Sequence, residues 1–231
     1  MRKTLLFGAA VMFLVACGGK SIKEFTPTEQ DKQTAITVVN DTKGLQALKT
    51  NAKDSSALGA FAKIQSGANS LIGSAQAAKA LTLDSVQSAI DETCITQSGG
   101  TVTYNNCSDG GQTINGTISI VGDVYSINLT IGFASGGYSG DVTYAGSITA
   151  TDSLVNGHLS FDYDYSSVTY SVDVTYSNLV LDAGCLLGPL GGSLEVDSST
   201  KVSGYGGLGS TSLTFRADYG PACGGVKMFG G

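Results

Sequence analysis

The stretch Tyr125-Ser126-Ile127-Asn128-Leu129-Thr130-Ile131-Gly132-Phe133 decides the fold, because apolar residues alternate in it with polar or small ones. Successive side chains of a β-strand point to opposite faces, so this period of two predicts a strand with one buried face. The same alternation recurs at six further places after residue 95: 114–120, 142–148, 155–165, 168–176, 194–196 and 213–219.

Short polar turns separate these segments: Ser98-Gly99-Gly100, Asp109-Gly110-Gly111, Val121-Gly122-Asp123, Ser135-Gly136-Gly137, Ser166-Ser167 and Gly206-Gly207. Connections this short join neighbouring antiparallel strands, whereas parallel strands need a long crossover. Residues 95–231 are therefore predicted to form an antiparallel up-and-down β-meander of about eight to ten strands, curled or barrel-like.

The chain before residue 95 has helical rather than alternating periodicity. Thr26, Pro27 and Glu29 fit a capping box with proline at the first helical position. They predict a helix over 27–48, and helix-forming residues predict three more, over 53–65, 68–80 and 84–90. The predicted fold class is therefore α+β, with a helical segment over 26–94 and a β domain over 95–231.

The N-terminus has the parts of an export signal. Met1-Arg2-Lys3 is basic, residues 4–15 are mostly apolar, and Ala16 is a small residue before Cys17. The apolar run of 12 residues is shorter than the roughly 20 that a membrane-spanning helix needs. Leu14-Val15-Ala16-Cys17 resembles the lipobox of bacterial lipoproteins.

This resemblance implies that residues 1–16 are removed as a signal peptide and that Cys17 carries a covalent lipid. Residues 17–25 would then be a lipidated tether to the membrane. Gly18 is not the aspartate that retains such proteins at the inner membrane, so the resemblance implies the outer membrane of the bacterial cell envelope. The glycine-spaced β pattern also resembles uncharacterised glycine-rich β lipoproteins, a likeness that implies no activity.

The charge of the chain is unevenly distributed. Residues 18–94 hold eight lysines and eight carboxylates, whereas residues 95–231 hold only Lys201, Arg216 and Lys227 against eleven carboxylates. A nucleic-acid-binding protein needs a basic face for phosphates, so this acidic half excludes that class. Adsorption to anionic lipid headgroups through this half is not expected either.

Four cysteines follow Cys17: Cys94, Cys107, Cys185 and Cys223. An even number of cysteines in an exported chain is typical of disulfides. A zinc site is the alternative, but the sequence has no C-x-x-C pair and one histidine. Nearness in sequence favours the pairs Cys94–Cys107 and Cys185–Cys223.

Few residues are candidates for chemistry. His158, the sole histidine, alternates with polar residues and is predicted to be a surface side chain. Asp162 and Asp164 share its strand face, and Asp173 lies diagonally across if Ser166-Ser167 is the turn. Three such carboxylates are candidate Ca²⁺ ligands or a general acid/base pair, although solvated surface carboxylates are the common case. Neither G-x-S-x-G nor H-E-x-x-H occurs, so no enzyme and no cofactor beyond the lipid is predicted.

A short pattern of small residue, glycine, polar residue and aliphatic residue occurs four times. It is seen in Asn115-Gly116-Thr117-Ile118, Ala145-Gly146-Ser147-Ile148, Asn156-Gly157-His158-Leu159 and Gly191-Gly192-Ser193-Leu194. The spacing between copies is irregular, which excludes a solenoid of fixed period. These glycines are predicted to mark strand entries.

A meander with one apolar face must bury that face. It can curl into a barrel, pack under the N-terminal helices, or face lipid as a small transmembrane β-barrel. Two main function classes follow: a lipid-anchored structural or binding module of the envelope, or a lipocalin-like or lipid-carrier-like β-shell for an apolar ligand. The expected partners are the membrane, through the anchor, and either an apolar ligand or an envelope protein.

Overall fold

The computed structural model describes residues 22–47, 54–71, 92–109, 112–135, 138–165, 167–185, 187–203 and 209–231. The predicted signal peptide over 1–16, the lipidation site Cys17 and the predicted helix over 84–90 lie outside the described residues.

Within the described ranges the chain forms two α-helices and eleven β-strands. The first part consists of β1 (Lys23–Phe25), α1 (Glu29–Ala47), α2 (Asp54–Leu71) and a 3₁₀ turn (Glu92–Cys94). The strands that follow are β2 (Ile95–Ser98), β3 (Thr101–Asp109), β4 (Gln112–Val121), β5 (Val124–Ser135), β6 (Tyr138–Ala150), β7 (Leu154–Tyr165), β8 (Val168–Val180), β9 (Gly191–Val202), β10 (Gly209–Tyr219) and β11 (Val226–Gly230).

All eleven strands belong to one antiparallel sheet, in the order β1-β11-β10-β9-β8-β7-β6-β5-β4-β3-β2. From β2 to β11 the order in space follows the order in the chain, which confirms the predicted α+β class and up-and-down meander. The sheet is open in the described part of the chain, because β1 and β2 form its two edges. The ten strands β2–β11 of the meander lie within the predicted range of eight to ten, and β1 adds an eleventh strand from outside residues 95–231.

The extra strand β1 lies in the segment predicted to be a tether. Lys23 pairs with Gly230 and Phe25 with Met228, so the last three residues of 17–25 belong to the sheet. A strand of three residues is too short to show alternation, and it forms here because β11 presents unpaired backbone groups to it. The tether is therefore shorter than the sequence predicts.

Helix α1 begins two residues later than predicted. The Thr28 hydroxyl accepts a hydrogen bond from the Asp31 amide (3.2 Å), and the Asp31 carboxylate accepts one from the Thr28 amide (2.8 Å). This reciprocal pair is a capping box with aspartate in place of glutamate. The predicted cap at Thr26 is therefore wrong: Thr28 and Asp31, not Thr26 and Glu29, make the reciprocal hydrogen bonds.

Helix α2 is continuous over Asp54–Leu71, whereas the sequence predicts two helices separated near Gly67. A Cβ atom at position 67 would lie 2.6 Å from Cγ2 of Val38 in α1. Gly67 therefore allows the two helices to approach closely instead of ending a helix.

The two helices pack on the apolar face of the sheet, and helices and sheet share one hydrophobic core. Val38 of α1 and Phe61 of α2 belong to the same buried cluster as Tyr144 and Phe161 of the sheet. The Tyr144 hydroxyl donates a hydrogen bond to the Gln65 side-chain oxygen (3.2 Å), which ties α2 to β6. Each large apolar side chain buried here contributes about 1.5–3 kcal/mol. Of the three ways to bury the apolar face, the structure therefore has the one that uses the helices.

Three of the four pattern glycines lie inside strands, whereas Gly192, the second residue of β9, lies at a strand entry as predicted. Gly116, Gly146, Gly157 and Gly192 all have φ between +88° and +140°. A Cβ atom at any of them would come within 2.0–2.3 Å of a carbonyl oxygen of the neighbouring strand. The strands approach too closely there for a side chain, and such glycines are the usual means of bending a sheet. The repeated pattern therefore marks positions at which the sheet bends.

Both disulfides form with the connectivity that the sequence favours. Cys94–Cys107 joins the 3₁₀ turn before β2 to β3. Cys185–Cys223 joins the loop after β8 to the loop between β10 and β11. The first disulfide lies at the β2 edge of the sheet, and the second links the C-terminal hairpin to the loop after β8.

Candidate functional surface

The sheet exposes one face, opposite the helices, which we name the polar face. It consists of the side chains that alternate with the buried ones along β4–β10, as Ser160 and Asp162 of β7 alternate with buried Leu159 and Phe161. Most of these side chains are hydroxyls, amides and carboxylates. Since the core fills the other side of the sheet, the polar face is the side of the sheet available for recognition.

Two pairs of carboxylates stand directly opposite each other on the polar face. Asp141 of β6 pairs with Asp164 of β7, and Asp173 of β8 pairs with Asp197 of β9. Like charges directly opposite in an antiparallel pair destabilise the sheet. Their presence on the exposed face is therefore unfavourable for folding and favours a binding role for this surface.

Neighbouring groups compensate the second pair. His158 Nε2 lies 2.9 Å from Asp173 Oδ1, and the Thr214 hydroxyl donates a hydrogen bond to Asp197 Oδ1. These contacts link β7, β8, β9 and β10 through their side chains. The region around Asp173 and Asp197 is therefore held in place by side-chain contacts.

Arg216 of β10 is a basic side chain on the same part of the polar face. Its Nε donates a hydrogen bond to Asp218 Oδ1 (2.7 Å), and its Nη1 lies 3.9 Å from Glu195 Oε2. The hydrogen bond to Asp218 raises the pKa of Arg216, and the Asp218 and Glu195 charges add to this. Arg216 is therefore occupied by its own neighbours.

The first carboxylate pair lies at a groove with a volume of 430 Å³. Gly132 creates this space, since a Cβ atom there would lie 3.2 Å from Asp141 Oδ1. Among the described residues, Asp141, Asp162 and Asp164 have no ion-pair partner. The groove is lined by Thr113, Gly132, Phe133, Ala134, Ser139, Gly140, Asp141 and Asp164.

The structure places the predicted candidates only partly together. Asp162 pairs with Ser171, as the predicted turn requires, and His158 lies on the polar face. However, Asp173 engages His158, and no group of three or more metal-ligating side chains forms in the described part of the chain. The proposed Asp162, Asp164 and Asp173 cation cluster is therefore not assembled in the described residues: Asp173 lies opposite Ser160 and contacts His158.

A second, smaller cavity lies between α1 and the loop after β8. It has a volume of 180 Å³, and Ile36, Val39 and Leu181 contribute to its lining. Gly188 lines this cavity and also lies against the Tyr219 ring, since a Cβ atom at Gly188 would be 3.5 Å from it. The cavity is thus small, and its lining mixes these apolar side chains with the polar Asn40 and Asp182.

Buried polar groups occur near this cavity. The hydroxyls of Tyr176 and Tyr219 are buried without a hydrogen-bond partner in the described residues. Burial raises the pKa of Tyr176, and the nearby carboxyl of Asp41 and Tyr219 add to that shift. Burial also raises the pKa of Asp41, while the ammonium of Lys63 opposes it. Sequence reasoning missed this group because tyrosines at alternating positions count as apolar core residues.

Comparison with known protein families, curated proteins and solved structures gives no match for this chain. Of the helices in the described residues, neither combines the length and the apolar character needed to cross a membrane.

Proposed function

We propose that the protein is a lipid-anchored lipoprotein of the bacterial cell envelope, located at the outer membrane and held there by a lipid on Cys17. In this proposal it is a non-catalytic structural or binding module. The observation that carries the proposal is the lipobox-like Leu14-Val15-Ala16-Cys17 in a chain whose other four cysteines form two disulfides. Disulfides of this kind persist in oxidising compartments outside the cytoplasm. A lipid with two or more chains holds a protein firmly to a bilayer.

The polar face is the binding surface in this proposal. It is the exposed side of a sheet whose other side is filled by α1 and α2, and it carries the Asp141–Asp164 pair, whose like charges are unfavourable directly opposite each other. A basic surface on another envelope protein is the partner that these charges would attract.

Metabolic labelling with a palmitate analogue tests the anchor. The wild-type protein should be labelled, and the Cys17→Ala variant should be unlabelled and either unprocessed or released from membranes. The Gly18→Asp variant is a matched control: it should remain labelled but shift to the inner membrane. Equal labelling of wild type and Cys17→Ala would contradict the proposal.

A carrier of an apolar ligand is the second candidate. The cavity beside α1 and the unpartnered hydroxyls of Tyr176 and Tyr219 favour it. Its volume of 180 Å³ is below the roughly 300–1,000 Å³ of ordinary ligand pockets, so α1 would have to move to admit a ligand. Native mass spectrometry of the purified protein tests this candidate. A bound lipid-sized molecule in addition to the covalent lipid would favour the carrier, and the bare lipoprotein mass would favour the binding module.

A further inference from the structure

An apolar patch lies at the β1 edge of the sheet, on the side of the sheet that the helices cover. We name it the edge patch, and it consists of Lys23 and Phe25 of β1 with Leu213 and Phe215 of β10. Phe25 is 37% exposed and Leu213 is 50% exposed, although both are large apolar side chains. The rings of Phe25 and Phe215 lie 6.4 Å apart, and Leu213 is two residues from Phe215 on the same face of β10.

The edge patch is the part of the described sheet nearest in sequence to the proposed lipid anchor. Cys17 precedes Lys23 by six residues. A chain covers at most about 3.3–3.6 Å per residue, so Cys17 lies within roughly 22 Å of Lys23 whatever path the chain takes. The opposite edge, β2, is ten strand spacings away, or about 48 Å along the sheet. An anchor at Cys17 therefore holds the edge patch, and not the β2 edge, close to the bilayer.

The charge distribution along the sheet agrees with this arrangement. Residues 81–200 contain no lysine or arginine, while residues 95–190 contain eight carboxylates. All the bases of the sheet lie at the other end, in β1 and β9–β11, where Lys23, Lys201, Arg216 and Lys227 balance the four carboxylates Glu24, Glu195, Asp197 and Asp218. An anionic membrane surface repels the acidic part of the sheet and tolerates the edge that carries the bases.

We propose that the edge patch rests on the lipid bilayer, with Phe25 and Leu213 in the headgroup region and Lys23 beside them. This inference rests on the proposed lipid anchor at Cys17. The body then stands on its β1 edge, and the acidic strands β3–β8, with the groove at Asp141 and Asp164, point away from the membrane. The binding surface is thereby presented to partners instead of lying against lipid.

The most exposed of the large apolar side chains in the described residues does not fit this contact. Val121 is 69% exposed, but it lies in the hairpin between β4 and β5. Strand β5 is seven spacings from β1, or about 34 Å along the sheet, and belongs to the acidic part. Val121 is therefore a matched control for Leu213.

The test uses the full lipidated protein in vesicles of phosphatidylethanolamine and phosphatidylglycerol. The Leu213→Cys and Val121→Cys variants each carry an environment-sensitive fluorophore, and nitroxide-labelled lipids serve as quenchers. The fluorophore at 213 should shift to the blue and lose most of its emission to the quencher, while the fluorophore at 121 should do neither. Equal quenching at both positions, or none at 213, would overturn the inference.

Two further measurements keep the test decisive. The mass of each purified variant shows whether Cys17 is lipidated: an unlipidated protein refutes the proposed anchor together with this inference, and a lipidated protein with an unquenched label at 213 refutes the inference alone. Hydrogen exchange of the unlabelled wild type avoids the risk that a variant misfolds. Amides of β1 and residues 209–213 should exchange more slowly in vesicles than in detergent, and unchanged exchange there would contradict the contact.

Discussion

Replacing Gly146 by alanine tests the claim that glycines bend the sheet. Gly146 has φ +122°, and a Cβ atom there would lie 2.2 Å from the His158 carbonyl oxygen and 2.9 Å from the Leu159 Cα. Both contacts involve backbone atoms, so no flexible side chain can move aside. The strands β6 and β7 would have to separate where they pair.

The expected loss of stability follows from two terms. A non-glycine residue in a sparsely populated backbone conformation costs about 1–3 kcal/mol. Forcing extra volume into a packed site costs about 1–3 kcal/mol more. Because alanine restricts the unfolded chain more than glycine does, it offsets about 0.4–1 kcal/mol of this cost, and the net loss of stability is roughly 2–5 kcal/mol. That is a large part of the 5–15 kcal/mol by which a typical domain is stable.

Urea unfolding of the mature protein, followed by circular dichroism, measures this loss. The unfolding midpoint of Gly146→Ala should fall by roughly 1–2 M. Gly44→Ala is the matched control, because Gly44 lies in α1 with no atom within 4 Å of its Cβ position. This control should gain up to about 1 kcal/mol, since alanine favours helix over glycine. A Gly146→Ala midpoint equal to that of the wild type would refute the reasoning.

Three other perturbations follow from the described contacts. Replacing Cys94 and Cys107 together by serine should cost about 3 kcal/mol, measured as a lower midpoint in urea, and an unchanged midpoint would contradict this. Thr28→Ala should lower the free energy of unfolding by about 1 kcal/mol, and Thr26→Ala should lower it by less, because the hydroxyl at 28 caps α1. Equal losses of stability on thermal unfolding would contradict a cap at Thr28 and favour Thr26. Burial raises the pKa of Asp41 above its usual value of 3.8. The stability that the protonated carboxyl adds is therefore present below pH 3.8 and is lost as the pH rises through the pKa of Asp41 in the folded protein. Asp41→Asn should therefore be more stable than the wild type at pH 7 and equal to it below pH 3.8, and a variant less stable at pH 7 would refute this.

The sequence predicts the long strands well and the short ones poorly. The alternation around Tyr125 has one physical cause, a sheet with one buried face, and it leads directly to β5 and its neighbours. Strand β1 has no such signal, because Lys23–Phe25 forms only when β11 is in place beside it. The cap of α1 shows the same limit: Thr26 and Thr28 each offer a hydroxyl with a carboxylate three residues later, and the sequence does not choose between them.

The polar face shows which contacts depend on the register between strands, which local sequence does not always fix. Asp162 opposite Ser171 follows from a short turn, so the sequence predicts it. Asp173 opposite Asp197 depends on the long connection between β8 and β9, whose register no local pattern fixes. The candidate cation cluster does not form for a different reason, since Asp173 engages His158 within the same hairpin.

Mass spectrometry of the N-terminal peptide of the mature protein tests the central claim most directly. Removal of residues 1–16 and lipidation would leave Cys17 as the first residue, carrying the mass of a diacylglyceryl group with or without a further acyl chain. The proposal of a lipid-anchored envelope protein predicts this peptide in the membrane fraction. A chain that still begins at Met1, or a mature chain with an unmodified Cys17, would contradict it.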